Sequence, residues 1–146
     1  MTPLLIGIAA YDGGLIISNF RTGGLYYVNP HTGQAAELVP REELPMPTGL
    51  AVHEDNVYVT SSHSYSVSIW KLRPLAGGGK EGETDRPQAT YKGSIVSEFL
   101  DDPRSTTILD GYLYAVNSKA KSTGLPAEGE NQPWFSEEFD MVEVEI

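Results

Sequence analysis

A strand-turn-strand pattern repeats along this chain, and that repetition limits the fold more than any other feature of the sequence. Its clearest copy is Pro47 to Leu72, PTGLAVHEDNVYVTSSHSYSVSIWKL. GLAV is short and apolar, HEDN is a turn, and VYVT alternates around β-branched and aromatic residues. SSHSYS is a polar loop, and VSIWKL is a third alternating run. Period-two alternation sends every second side chain to one face, so each run can bury one side against a neighbouring layer. Asp55 and Asn56 tolerate the left-handed backbone of tight hairpins, which places the turn on them.

The pattern occurs three times. GIAAYDGGLIISNF lies on GLAVHEDNVYVTSS without a gap at an offset of 42, so Gly7 meets Gly49 and Asn19 meets Ser61. STTILDGYLYAVNS lies on the same segment at an offset of 56, so Pro47 meets Pro103 and Ser61 meets Asn117. The extra length fits the Gly-rich insertion Leu75 to Pro87. The third runs align as Gly24–Pro30 on Ser68–Pro74. Self-similarity at roughly 40 to 45 residues with strands in every unit is the signature of a β-propeller. A β-sandwich with three similar hairpins is the alternative.

Each unit reads as a blade: 1–40, 47–92 and 103–146. The expected fold is all-β, a propeller of three four-stranded blades. In the first blade the strands are Gly7–Ala10, Leu15–Ser18, Leu25–Val28 and Gln34–Val39, after a lead, Met1 to Ile6, that can form an outer strand. Pro40 to Pro47 is a linker, since proline interrupts strand pairing. Gln88 to Lys92 completes the second blade, and Ser94 to Pro103 is a linker with room for a helical turn. In the third unit a polar loop, Lys119 to Glu137, precedes the strand Phe139 to Ile146, and no fourth strand follows it. Tyr26, Tyr27, Trp70, Tyr112 and Tyr114 are expected in the blade core.

Charge and composition exclude some functions. The net charge is −10, with 20 acidic against 10 basic residues, so nucleic acid is not an expected partner. No run is long enough to span a membrane as a helix. Cysteine is absent, which excludes a disulfide framework, a thiol nucleophile and thiolate-bound zinc. Its absence fits a reducing compartment, and the expected location is cytoplasmic. Leu4 to Ala10 is apolar but short and has no basic residue before it, so it reads as a strand rather than a signal peptide.

GGLIISNFRTGGLYYVNPHTGQAAELV resembles a blade of the senescence-marker protein/gluconolactonase family of six-bladed propellers. PTGLAVHEDNVYVTSS is similar to that family's P-N-G-L…L-Y-x-x-D-S blade. PRSTTILDGYLYAVNSKA followed by FDMVEVEI is similar to its closing blade. The resemblance implies half of a six-bladed ring. Three blades leave two apolar faces open, and faces of that size mark an interface. A second copy related by a two-fold axis, or a complementary half-propeller chain, would close the ring. The resemblance also implies lactone hydrolysis with calcium or zinc held by a Glu, two Asn and an Asp. At the matching positions stand Ile6, Thr48 and Arg104, and Ser61 replaces the Asp of the D-S ending. These residues imply an eroded metal site and no cofactor.

A different polar set is expected around the same mouth. Inner-strand starts and second-strand ends are antiparallel neighbours, which gathers Asn19, Thr48, Ser61, Ser62, Arg104 and Asn117. Two residues past each second strand come Arg21, His63 and Lys119, equivalent by the repeat. Three basic side chains around one opening suit a carboxylate or enolate, or developing negative charge. His63 is the candidate general acid or base, with Arg21 polarising the substrate. Tyr65, Trp134 and Phe135 lie in loops and suit an apolar ligand. Each of these residues also has a plainer account as a solvated loop or turn side chain, and His31 and His53 are given only that account.

The expected function is binding of a small organic molecule without a metal. A cofactor-free isomerase, cyclase or cycloaddition enzyme of specialised metabolism fits such a pocket. A metal-dependent lactone hydrolase and a non-catalytic interaction scaffold are the alternatives.

Overall fold

A computed structural model describes residues 4–62, 64–74, 86–117 and 141–146. They form three antiparallel meanders. The first holds β1 (Leu5–Tyr11), β2 (Gly14–Asn19), β3 (Leu25–Val28) and β4 (Ala35–Val39). The second holds β5 (Pro47–His53), β6 (Asn56–Ser61), β7 (Ser66–Arg73) and β8 (Gln88–Val96). The third holds β9 (Pro103–Leu109), β10 (Tyr112–Asn117) and β11 (Met141–Glu145), so among the described residues it has three strands, with none after β11. β5 packs against β1 on one side and against β9 on the other. The first strands of the sheets therefore lie side by side, with the later strands radiating away.

The repeat offsets reappear as strand register. Leu5 pairs with Asn19, Pro47 with Ser61 and Pro103 with Asn117. Each first strand carries an irregularity next to that pair, so the same bulge recurs at the start of β1, β5 and β9. Bulges at strand ends re-aim side chains, and here they do so in every unit.

The first hairpin of each sheet closes with a two-residue turn, between Tyr11 and Gly14, His53 and Asn56, and Leu109 and Tyr112. The first turn residue is left-handed in each: Asp12 at φ 47°, Glu54 at 52° and Asp110 at 52°. The middle turn thus sits on Glu54-Asp55, inside the expected HEDN turn, with His53 and Asn56 pairing across it.

Other boundaries shift as well. β1 begins at Leu5, so Leu5 and Ile6 extend the innermost strand instead of forming an outer one. β8 runs to Val96, past Lys92, and takes up the start of the expected linker. The third strands align at offset 42 and not 44: Ile17 pairs with Tyr26 and Val59 with Ser68. A slip of two residues leaves every side chain on its original face, so alternation alone cannot detect it. The Gly-rich insertion and the polar loop before β11 fall almost wholly outside the described residues.

Two cores lie between the sheets. Tyr11, Ile16, Leu25 and Tyr27 of the first sheet meet Val57, Val59, Trp70 and Leu72 of the second. Tyr58 and Val67, on the opposite face of the second sheet, meet Leu113, Ala115 and Val142 of the third. Each such side chain contributes about 1.5–3 kcal/mol when fully buried.

The outer sheets each keep one face without a described sheet against it. On the first sheet this face carries Leu15, Ile17, Tyr26 and Val28 beside Ile8, which is 62% exposed. On the third it carries Tyr112, Tyr114, Val116 and Met141. Tyr26, Tyr112 and Tyr114 are therefore not core residues as expected, whereas Tyr27 and Trp70 are buried. Alternation sets the face on which a residue lies, but only the next sheet decides whether that face is covered.

A side-chain bond ties the far ends of the first two sheets. Tyr11 donates its hydroxyl to Asp55 Oδ1 at 3.1 Å. Burial, and then the Asp55 carboxylate, push the Tyr11 phenol well above its ordinary value. Burial also raises that of Tyr58. A folded-state value raised above the unfolded one gives stability that is complete below the unfolded value of about 10 and is lost as pH rises beyond it. Stability measured by urea unfolding is expected to fall above about pH 10. Tyr11→Phe should cost about 1 kcal/mol at neutral pH and flatten that alkaline limb.

Candidate functional site

The starts of β1, β5 and β9 and the ends of β2, β6 and β10 form the end of the sheets where the sequence places its polar set. Most of that set is engaged in holding the sheets together. Ser18 Oγ accepts the Gly7 N–H at 2.8 Å and donates to the Thr48 carbonyl at 2.7 Å, joining the first sheet to the second. Thr48 Oγ1 repeats this link one sheet on, reaching the Pro103 carbonyl at 3.1 Å. It also lies 3.1 Å from the Thr60 carbonyl and 2.9 Å from Thr60 Oγ1. A hydroxyl has one proton and two lone pairs, and Thr48 is only 1% exposed, so little capacity remains for a ligand. Thr48→Val keeps the shape and removes these bonds. It is expected to lower stability by about 2 kcal/mol in urea unfolding, since it leaves buried carbonyls short of a donor.

The two asparagines cap turns. Asn19 Oδ1 accepts the backbone N–H groups of Arg21 and Thr22 at 3.2 and 3.3 Å. Asn117, 1% exposed, accepts the Asp101 N–H at 3.0 Å and donates to the Phe99 carbonyl at 2.7 Å. Both stand where the repeat put them, and both fold the adjoining loop back onto the sheet.

Sequence reasoning missed Asp102. This carboxylate is fully buried just before β9, with φ 52°. It accepts Arg104 Nε at 3.2 Å and Nη2 at 2.8 Å, and Ser62 donates to it at 3.3 Å. Met46, its counterpart by the repeat, shares the left-handed backbone at φ 47°. Arg104 was expected among the substrate-binding residues, and its side chain, about a third exposed, is held in a two-pronged pair with Asp102. Asp tolerates left-handed backbone, which is the one local signal of its position. Its partners come from separate strands and could not be read from spacing.

Of the remaining candidates, Ser61 is half-buried at the end of β6, and Arg21 and Tyr65 are exposed in loops at the same end. His63, Lys119, Trp134 and Phe135 lie outside the described residues. The positions implied as metal ligands do not fit a hard cation. Ile6 has no donor atom, the Thr48 hydroxyl is engaged, and Arg104 is itself a cation. Among the described residues no group of three or more His, Cys, Asp or Glu side chains could hold a metal ion. No described helix is long and apolar enough to cross a membrane.

No family model matches the chain, and no curated protein matches it. Among solved structures it is similar to a chain in the crystal structure of a nidogen/laminin complex, with a TM-score of 0.57 and 16% identity. The match covers 82% of this chain and spans 41% of that one. At this identity the likeness concerns the fold, and with the three meanders described above it makes the chain an all-β, β-propeller-like protein.

Proposed function

We propose that the chain supplies three blades of a six-bladed propeller, that a second copy closes the ring, and that the closed ring is a metal-independent binding module for a small organic molecule. One observation carries this. The repeat positions buried between the first two sheets recur on an uncovered face. Val57, Val59 and Trp70 are at most 4% exposed there, and their counterparts Leu15, Ile17 and Val28 lie on the open face of the first sheet. Val67 is fully buried against the third sheet, while its counterpart Met141 is 63% exposed. The first and third sheets thus offer the two kinds of face that meet inside the chain, and a second copy would bring them together. Covering 41% of the similar chain is in keeping with part of a ring.

Light scattering on the purified protein tests this, with twice the chain mass expected. A well-folded monomer at micromolar concentration would overturn ring closure. Lactone hydrolysis with calcium or zinc has less support, because Ile6, Thr48 and Arg104 offer no carboxylate. A purely structural scaffold would close its ring in the same way but bind no small molecule.

A further inference from the structure

A groove of about 530 Å³ lies on the second sheet, on the side that faces the first. It has a sequence cause. The side chains of β7 on that face are Ser66, Ser68, Trp70 and Leu72 in turn. The two large ones fill the space between the sheets, and the two serines leave it open. Leu44 of the linker covers one flank, held by a bond from the Gly24 N–H to its carbonyl at 2.8 Å. A groove of this size is ordinary for a small-molecule site, which spans roughly 300–1,000 Å³.

The lining combines hydroxyls with an aromatic platform. Ser68 Oγ accepts the Trp70 indole N–H at 3.1 Å, which fixes the ring. The Tyr91 ring stands edge-on to Trp70, with centroids 5.2 Å apart and an interplanar angle of 63°, and is 54% exposed. Its hydroxyl lies 2.8 Å from Ser94 Oγ. Whichever of the two donates, the other keeps an O–H for a ligand. Among the described residues no lysine or arginine lines the groove, and Glu43 stands on its rim, so the field of these residues disfavours anions.

We propose that this groove binds a neutral ring with an apolar face and a hydroxylated edge, the chemistry shared by saccharides and phenols. The apolar face lies on Tyr91, and the edge exchanges hydrogen bonds with Ser66, Ser94 and the Tyr91 hydroxyl. The site deepens the binding-module reading but does not need ring closure, because all its residues belong to one chain. A monomer that binds such a ligand would contradict closure and leave the groove standing.

Ligand-detected NMR with cellobiose and catechol separates the two sources, and glucuronate and benzoate are their anionic controls. At least one neutral probe is expected to bind at millimolar concentration or below, with its anionic control at least about tenfold weaker. Tyr91→Ala and Ser94→Leu change exposed positions on β8 and should each weaken binding about tenfold with the melting temperature unchanged. A response to cellobiose alone assigns a saccharide, and a response to catechol alone assigns a phenol. Silence from both neutral probes, equal binding of the anions, or binding untouched by both substitutions would overturn the proposal.

Discussion

Gly49→Ala is expected to lower the unfolding free energy by about 3 kcal/mol, and Gly7→Ala by a similar amount. A Cβ on Gly49 would stand 2.6 Å from Ser105 Cα and 2.9 Å from Thr106 N. Both are backbone atoms of β9, so the clash can be relieved only by moving one first strand away from the next. A Cβ on Gly7 would stand 2.7 Å from both Ser18 Oγ and the Thr48 carbonyl, the atoms that join the first two sheets. Overpacking of about 1–3 kcal/mol then adds to the loss of a buried hydrogen bond. Ser105 occupies the same repeat position in the third sheet, where no described sheet follows, and it is exposed. Ser105→Ala should therefore change stability by no more than about 0.5 kcal/mol. Urea unfolding of the three variants measures the difference, and equal effects would mean that the first strands are not packed as successive blades.

Ile17→Glu is expected to weaken self-association at least about a hundredfold while leaving the monomer folded. Ile17 pairs with Ile8 and Tyr26 across the open face of the first sheet, and a carboxylate there would lose its water on docking. Because no described sheet covers this face within the chain, the same charge costs the monomer little. Light scattering against concentration, together with circular dichroism, reads the two effects separately. Unchanged mass with unchanged fold would place the contact elsewhere.

The hairpins were legible because two local signals coincide in them. Alternation marks the strands, and Asp12-Gly13 and Asp110-Gly111 supply left-handed turn residues. The offsets of 42 and 56 then carried through to strand register at Asn19, Ser61 and Asn117. The third-strand slip was not legible, because shifting Tyr26 by two positions preserves its face. The exposure of Tyr112 was not legible either, since it depends on whether another sheet lies against that face. At this end of the sheets, residue type did not reveal which polar groups bond to the chain. Thr48 and Asn117 look like ligand contacts in sequence, yet their bonds go to the chain itself. The Ser68 hydroxyl looked like one more strand residue until Trp70 and Tyr91 stood beside it.

Cross-linking tests the half-ring most directly, because the chain contains no cysteine of its own. Leu15→Cys labels the open face of the first sheet, and Tyr114→Cys labels that of the third. When the two variants are mixed and oxidised, a disulfide-linked heterodimer should form, and neither variant alone should link efficiently. Linking of Leu15→Cys to itself, or no linking in the mixture, would contradict closure of one copy's third sheet on the other's first.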